Sequence, residues 1–72
     1  MDKPNSKRQW IPSVGQTYFY IAPHGDIRED RYSGNSIYES DMIKFGNCFK
    51  SKIDALLAWK DIYNIFKLYN RL

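Results

Sequence analysis

The last third of this 72-residue chain constrains its fold most strongly. Residues 52–71 contain neither proline nor glycine, and Ser51 stands where a helix N-cap is expected, with Asp54 three positions later as in a capping box. At 100° per residue, the apolar side chains of this segment fall on one broad arc. The arc consists of Ala55, Leu56, Ala58, Trp59, Ile62, Tyr63, Ile65, Phe66, Tyr69 and Leu72. The sequence therefore predicts a C-terminal helix of about twenty residues, roughly 30 Å long.

The segments before this helix favour a small sheet. Residues 17–22 are rich in aromatic and β-branched side chains, and residues 27–32 follow a Pro and Gly turn as a charged partner strand. Residues 42–45 alternate enough to be a third strand, whereas residues 37–41 fit neither a strand nor a helix clearly. We therefore predict an α+β fold in which an antiparallel sheet of two or three strands packs on the long C-terminal helix.

Length and composition limit the class of protein. The chain suits a single domain, predicted over residues 10–72 behind a disordered basic leader at residues 1–9. Aromatic residues make up 17% of the chain, which argues against wholesale disorder. No apolar run reaches the ~18 residues of a membrane span, and the leader lacks the apolar core of a signal peptide. A lone cysteine, Cys48, fits a reducing compartment, so we expect a cytoplasmic protein.

Two motifs suggest a family. The first is W-x-P-x-x-G-x-x-Y-x-Y-I at residues 10–21, and the second is G-N-C-F-K-S-K-x-D-A at residues 46–55. The pattern resembles a group of small proteins, mostly uncharacterised, that bacteriophages and other mobile elements encode, in which the second motif commonly reads G-N-x-F-K-T-K-x-E-A. The resemblance implies a phage-type origin, a bacterial host, a sheet plus long helix, and a regulatory or accessory role. The helix here departs from the acidic, Glu-rich face of the group, because it is basic and carries leucines.

Residues capable of catalysis or metal binding are sparse. Cys48 and His24 form the only nucleophile and base pair, and without a third group we favour a packed thiol. Asp26, Glu29 and Asp30 near His24 offer at most a weak cation site, and a solvated turn fits them better. We therefore predict a protein that is not an enzyme, with no catalytic residues, no metal and no cofactor.

The helix favours a protein partner. Its apolar arc is unusually wide, Leu57 and Leu68 fall outside it, and strands of ~20 Å are too short to cover a helix of ~30 Å. Exposed apolar surface of this kind usually marks a binding site. We predict an interaction module that binds a host or phage protein in order to inhibit or regulate it, and that self-associates, giving a homodimer. The predicted contact residues are Leu57, Phe66, Leu68, Tyr69 and Leu72. In the competing arrangement, Trp10 and residues 37–45 fold over the helix and bury the arc.

Nucleic-acid binding is the alternative function. The net charge is +3 and the sequence pI is about 9.1, which suits contact with phosphates. Under this interpretation basic side chains bind phosphates and two strand tyrosines stack on bases. The residues concerned are Lys7, Arg8, Lys60, Lys67 and Arg71 for phosphates, and Tyr18 and Tyr20 for bases. The competing interpretation is a solvated helix face and two tyrosines on an open sheet face, with Phe19 and Ile21 turned toward the helix.

A membrane-surface role is disfavoured, because the polar face of the helix is not strongly cationic.

Overall fold

The predicted α+β fold is confirmed. The computed structural model describes residues 9–70, in which two strands are followed by two helices. The strands are β1 (Thr17–Ile21) and β2 (Ile27–Arg31), and the helices are α1 (Ile37–Phe45) and α2 (Lys52–Tyr69). The two strands pair as an antiparallel hairpin, against which α2 packs. Most of the predicted leader, residues 1–8, lies outside the described residues.

The turn of the hairpin is shaped by contact with α2. β1 and β2 pair in the register that places Thr17 opposite Arg31, and the Gly25 N–H donates to the carbonyl of Ala22 at 2.8 Å. Gly25 has a φ of +91°, and a Cβ there would lie 2.7 Å from the Trp59 ring. Glycine is therefore required both for the backbone conformation and for the close approach of the turn to α2.

The other edge of β1 is paired by the segment that precedes α2. Phe19 and Phe49 exchange backbone N–H and carbonyl hydrogen bonds, both 2.8 Å long. Two residues further along β1, the Asn47 side chain takes the place of a strand backbone. Its Oδ1 accepts from the Ile21 N–H at 2.8 Å, and its Nδ2 donates to the Ile21 carbonyl at 2.9 Å. The backbone groups of Phe19 and Ile21 at this edge are thus satisfied, which fixes the start of α2 against the sheet.

The prediction of a third strand at residues 42–45 is wrong, because this segment is the end of α1. The N-cap Ser36 accepts from the Glu39 N–H, and the helix ends at Gly46, whose φ is +86° and whose N–H bonds to the Ile43 carbonyl. Four alternating residues are too few to outweigh cap signals at both ends of a helix. Residues 37–41, which the sequence left ambiguous, form the first half of the same helix.

The predicted C-terminal helix is confirmed, including its cap. Ser51 Oγ accepts from the Asp54 N–H at 3.1 Å, and α2 runs for 18 residues to Tyr69. Ala55 is fully buried, and the half-buried Ala58, Trp59 and Ile62 lie on the same side of the helix. None of the helices among residues 9–70 is both long enough and apolar enough to cross a membrane.

We predict that Asn47→Ala lowers the free energy of unfolding by about 1–3 kcal/mol, because it leaves the Ile21 N–H without its partner at the sheet edge. The matched control is Asn70→Ala, which removes an exposed side-chain bond of 3.1 Å to the Phe66 carbonyl. The control should cost less than about 0.5 kcal/mol. Urea denaturation followed by circular dichroism measures both values, and equal costs would contradict the structural role of Asn47.

Candidate protein-binding surface

The hairpin covers only one side of α2. Eight large apolar or aromatic side chains of α2 remain exposed. They are Ile53, Leu56, Leu57, Tyr63, Ile65, Phe66, Leu68 and Tyr69. Residues 37–45 do not cover them, since α2 packs mainly on the two strands and Phe45 at the end of α1 is itself 88% exposed. Because only one side of α2 is covered, apolar surface stays open to solvent along the whole helix.

Four of the predicted contact residues lie on this open surface. Leu57, Phe66, Leu68 and Tyr69 are between 56% and 82% exposed. They do not form one patch, however, because Phe66 lies on a different side of α2 from Leu57 and Leu68. The fifth, Leu72, lies outside the described residues. The exposed apolar side chains of α2 thus include two separate surfaces.

The first surface is a groove between α2 and the ends of β1 and α1, which we call the aromatic groove. It is open along one side and has a volume of about 480 Å³. Its lining is mostly apolar and comprises Ile21, Ala22, Pro23, Phe45, Gly46, Asn47, Phe49, Trp59, Ile62 and Phe66. Phe45 and Phe66 stand on its two sides with much of their surface free. A groove of this composition is suited to receive apolar side chains.

The α2 side of the groove is stiffened by packed rings. The centroid of the Trp59 ring lies 5.7 Å from that of Tyr63 and 6.4 Å from that of Phe66. The Trp59 and Phe66 rings meet edge to face. The ammonium group of Lys67 lies 5.2 Å from the centre of the Tyr63 ring, within cation–π range. Rings that are already packed together lose little conformational freedom when a partner binds.

The second surface lies on the opposite side of α2, and we call it the outer stripe. It consists of Ile53, Leu57, Asn64 and Leu68. At 100° per residue these positions lie about 140–180° from the buried Ala55, and Lys60 lies at the edge of the same range. The three aliphatic members are 63%, 58% and 62% exposed. Packing of α2 against the hairpin therefore does not explain why these three exposed positions are aliphatic.

The predicted base-stacking role of Tyr18 is wrong in this structure. Tyr18 is only 2% exposed, and its hydroxyl donates to Glu39 Oε2 at 3.0 Å. The unexpected helix α1 supplies Glu39, so the sheet face that was predicted to be open for tyrosines is closed over Tyr18. Tyr20 is half-buried, with its ring 5.8 Å from that of Tyr18.

The predicted phosphate contacts are only partly within the described chain. Lys60 and Lys67 are exposed on α2. Lys7, Arg8 and Arg71 lie outside the described residues. Lys60 and Lys67 therefore offer positive charge for phosphates, but the buried Tyr18 is not available to stack on bases.

Glu39 is a buried carboxylate that sequence reasoning missed. It is 7% exposed and accepts from the Ser33 N–H at 3.0 Å, the Ser33 hydroxyl at 2.7 Å, the Gly34 N–H at 3.4 Å and the Tyr18 hydroxyl. Burial by itself raises the pKa of Glu39, but these donors outweigh it and leave the pKa lowered. The spacing of Ser36 and Glu39, which is that of a capping box, signalled the start of α1 but not the burial of the carboxylate. Glu39 also raises the pKa of Tyr18, after the larger effect of burial.

Cys48 is packed rather than poised for reaction. It is 7% exposed, and its pKa is raised chiefly by burial and further by the nearby charge of Glu39. Both effects disfavour the thiolate, which is the nucleophilic form. Within residues 9–70, no group of three or more His, Cys, Asp or Glu side chains is placed to hold a metal ion.

No protein-family model matches the chain, and neither a curated protein nor a solved structure is detectably similar to it.

We predict that Glu39 makes the stability depend on pH below the ordinary Glu pKa of about 4.3. Because the pKa is lower in the folded state, its stabilising contribution is present above the unfolded pKa and is lost as the pH falls through the folded pKa. Urea denaturation between pH 7 and pH 2 should show this loss, and Glu39→Gln should flatten it. The control is Glu29→Gln on exposed β2, which should leave the acid slope in place. An unchanged slope in Glu39→Gln would contradict this assignment.

We also predict that native Cys48 reacts slowly with iodoacetamide at pH 7.5, because the thiol is buried and its pKa is raised. Mass spectrometry should show little alkylation of the folded protein under conditions that fully modify it in urea. Rapid alkylation in the folded state would restore the nucleophile interpretation.

Proposed function

We propose that this protein is a non-enzymatic interaction module that binds another protein through α2. The observation that carries the proposal is the aromatic groove, where Phe45 is 88% exposed and Phe66 is 56% exposed beside a packed Trp59 ring. Leaving such side chains in water is unfavourable, and their burial by a partner releases that cost. A few buried aromatic anchors usually supply most of the affinity of an interface.

The shape of the groove favours a partner that inserts apolar side chains. Its lining offers few polar groups, chiefly the Asn47 side chain, and both amide atoms of Asn47 already bond to Ile21. A charged or strongly polar ligand would find little compensation there for its lost hydration. We therefore assign the groove to an apolar segment of a protein, with Phe45 and Phe66 as the anchors.

The proposed biological setting is a bacterial host cell. The motifs at residues 10–21 and 46–55 support a phage or mobile-element origin, since they resemble those of small phage-type proteins. On this basis the partner is a host or phage protein in the cytoplasm, which the module inhibits or regulates. Self-association through α2 is part of the same proposal and is supported by the outer stripe.

A nucleic-acid-binding accessory protein is the alternative function. The net charge of +3 and the exposed Lys60 and Lys67 favour it. The burial of Tyr18 counts against it, because it removes one of the two rings on which bases were expected to stack. Protein binding is preferred, since it accounts for the exposed apolar groove and phosphate binding does not.

Affinity capture from a bacterial lysate, with and without nuclease, tests the proposal. We predict that Phe66→Lys abolishes capture of the protein partner, because it places a charge among the groove rings. The matched control is Tyr38→Lys on α1, which changes an aromatic side chain that is 78% exposed and does not line the groove. Circular dichroism should show that both variants fold.

The same capture separates the two functions. For an apolar groove we expect recovery of the partner to survive nuclease and to change little between 50 and 200 mM salt. For binding to phosphates, recovery should fall by orders of magnitude over that range. Loss of the partner on nuclease treatment, or equal loss in Phe66→Lys and Tyr38→Lys, would contradict the proposed function.

A further inference from the structure

We infer that the outer stripe pairs with the same stripe of a second copy, so that two α2 helices lie parallel and in register. The inference rests on the proposed function, because it identifies the surface through which the module self-associates. The stripe lies on the side of α2 opposite the buried Ala55, and three of its four members are exposed aliphatic side chains. A second copy supplies an equally apolar surface of the same length and spacing.

The placement of the stripe permits this pairing without a clash. Ile53, Leu57 and Leu68 lie on the far side of α2 from the buried Ala55. When two helices meet along their stripes, the hairpin of each protomer points away from the contact. Trp59 and Phe66 lie roughly 150–180° around the helix from the centre of the stripe, so each aromatic groove stays open.

The charges beside the stripe select the parallel orientation. Lys60 and Lys67 follow one flank of the stripe, whereas Asp54 and Asp61 follow the other, and all four are exposed. In a parallel pair related by a two-fold axis, the basic flank of one helix faces the acidic flank of the other. In an antiparallel pair, like flanks meet and both contacts are repulsive. Complementary flanks raise both the specificity and the rate of association.

Asn64 selects the same orientation and fixes the register. In the parallel pair Asn64 faces Asn64 of the second copy, and the two amides can donate to and accept from each other. An antiparallel pair that keeps Ile53 opposite Leu68 places Asn64 opposite Leu57, where its amide has no hydrogen-bonding partner. A single asparagine in an apolar helix seam is known to specify register and a two-stranded state in this way.

The size of the stripe predicts a weak dimer. Three partly exposed aliphatic side chains and the stems of the flanking lysines amount to less than the ~800 Å² per partner of a standard interface. We therefore expect association at protein concentrations of roughly 0.1 mM rather than in the nanomolar range.

Sedimentation equilibrium between about 10 μM and 1 mM tests the pairing. We predict that the average mass of the wild-type protein rises with concentration toward twice the monomer mass. The double variant Leu57→Lys with Leu68→Lys should stay monomeric throughout. The matched control is Tyr69→Lys, since Tyr69 is 82% exposed but lies off the stripe, and it should dimerise like the wild type. A monomeric wild type at 1 mM, or a double variant that still dimerises, overturns the inference.

Disulfide trapping tests the orientation in a Cys48→Ala background. Two variants are prepared, one with Asn64→Cys and one with Leu57→Cys, and one of the two variants is isotope-labelled. They are mixed and oxidised, and the cross-linked species are identified by mass. The parallel pair predicts 64–64 and 57–57 links, because a disulfide forms only where Cα atoms approach within about 7 Å. A predominance of mixed 57–64 links indicates the antiparallel pair and overturns the inferred orientation. The absence of cross-links overturns the pairing itself.

The two proposals fail separately in these experiments. If the double stripe variant and the wild type are both monomeric but capture through Phe66 persists, the self-pairing is wrong and the groove function stands. If the dimer forms as expected but Phe66→Lys captures the partner as well as the wild type does, the groove function is wrong and the dimer stands.

Discussion

The buried carboxylate of Glu39 is the interaction on which the arrangement of the other elements depends. It ties Tyr18 on β1 to the backbone of Ser33 and Gly34, at the start of the loop that leads into α1. A charge this deeply placed is tolerated only while several donors surround it, so the strand, the loop and the helix must come together at one point. This requirement holds α1 over the Tyr18 face of the hairpin. Because α1 is held against this face of the hairpin, it does not cover α2. The aromatic groove and the outer stripe therefore remain open.

The exposure of α2 also follows from a mismatch of lengths. Its 18 residues extend for about 27 Å, whereas the five-residue strands of the hairpin extend for only about 17 Å. Pairing at the second edge of β1 through Asn47 and Phe49 anchors the start of α2 to the sheet. The far end therefore projects beyond the hairpin, where Tyr69 is 82% exposed. Longer strands would cover more of the far end of α2 on the hairpin side, so part of the exposure there results from the small hairpin. The outer stripe is exposed for a different reason, because it faces away from the sheet.

Sequence reasoning succeeded where local signals agreed and failed where a distant contact decided the structure. The cap at Ser51 and the periodicity after it both predicted α2, and the exposure of Leu57 and Leu68 followed from their positions on the helix. Helix α1 was missed because its nine residues contain a short alternating stretch, although Ser36 and Gly46 mark its two ends. The position of the Glu39 carboxylate depends on residues in the hairpin and the following loop, which no local pattern reports. The wrong expectation for Tyr18 followed directly from that omission.

Under the proposed function, the two apolar surfaces of α2 act together in binding. A chain of this size buries a limited core, and the proposed pairing of the outer stripes would add stability to the folded state by mass action. Because the stripe and the groove lie on opposite sides of the helix, dimer formation does not compete with partner binding. A parallel dimer instead presents two grooves at a fixed separation. A partner that carries two suitable apolar segments, or that is itself a dimer, then gains avidity without any increase in the affinity of a single groove. Weak pairing is useful in this arrangement, since the dimer forms preferentially where a bivalent partner already holds two copies close together.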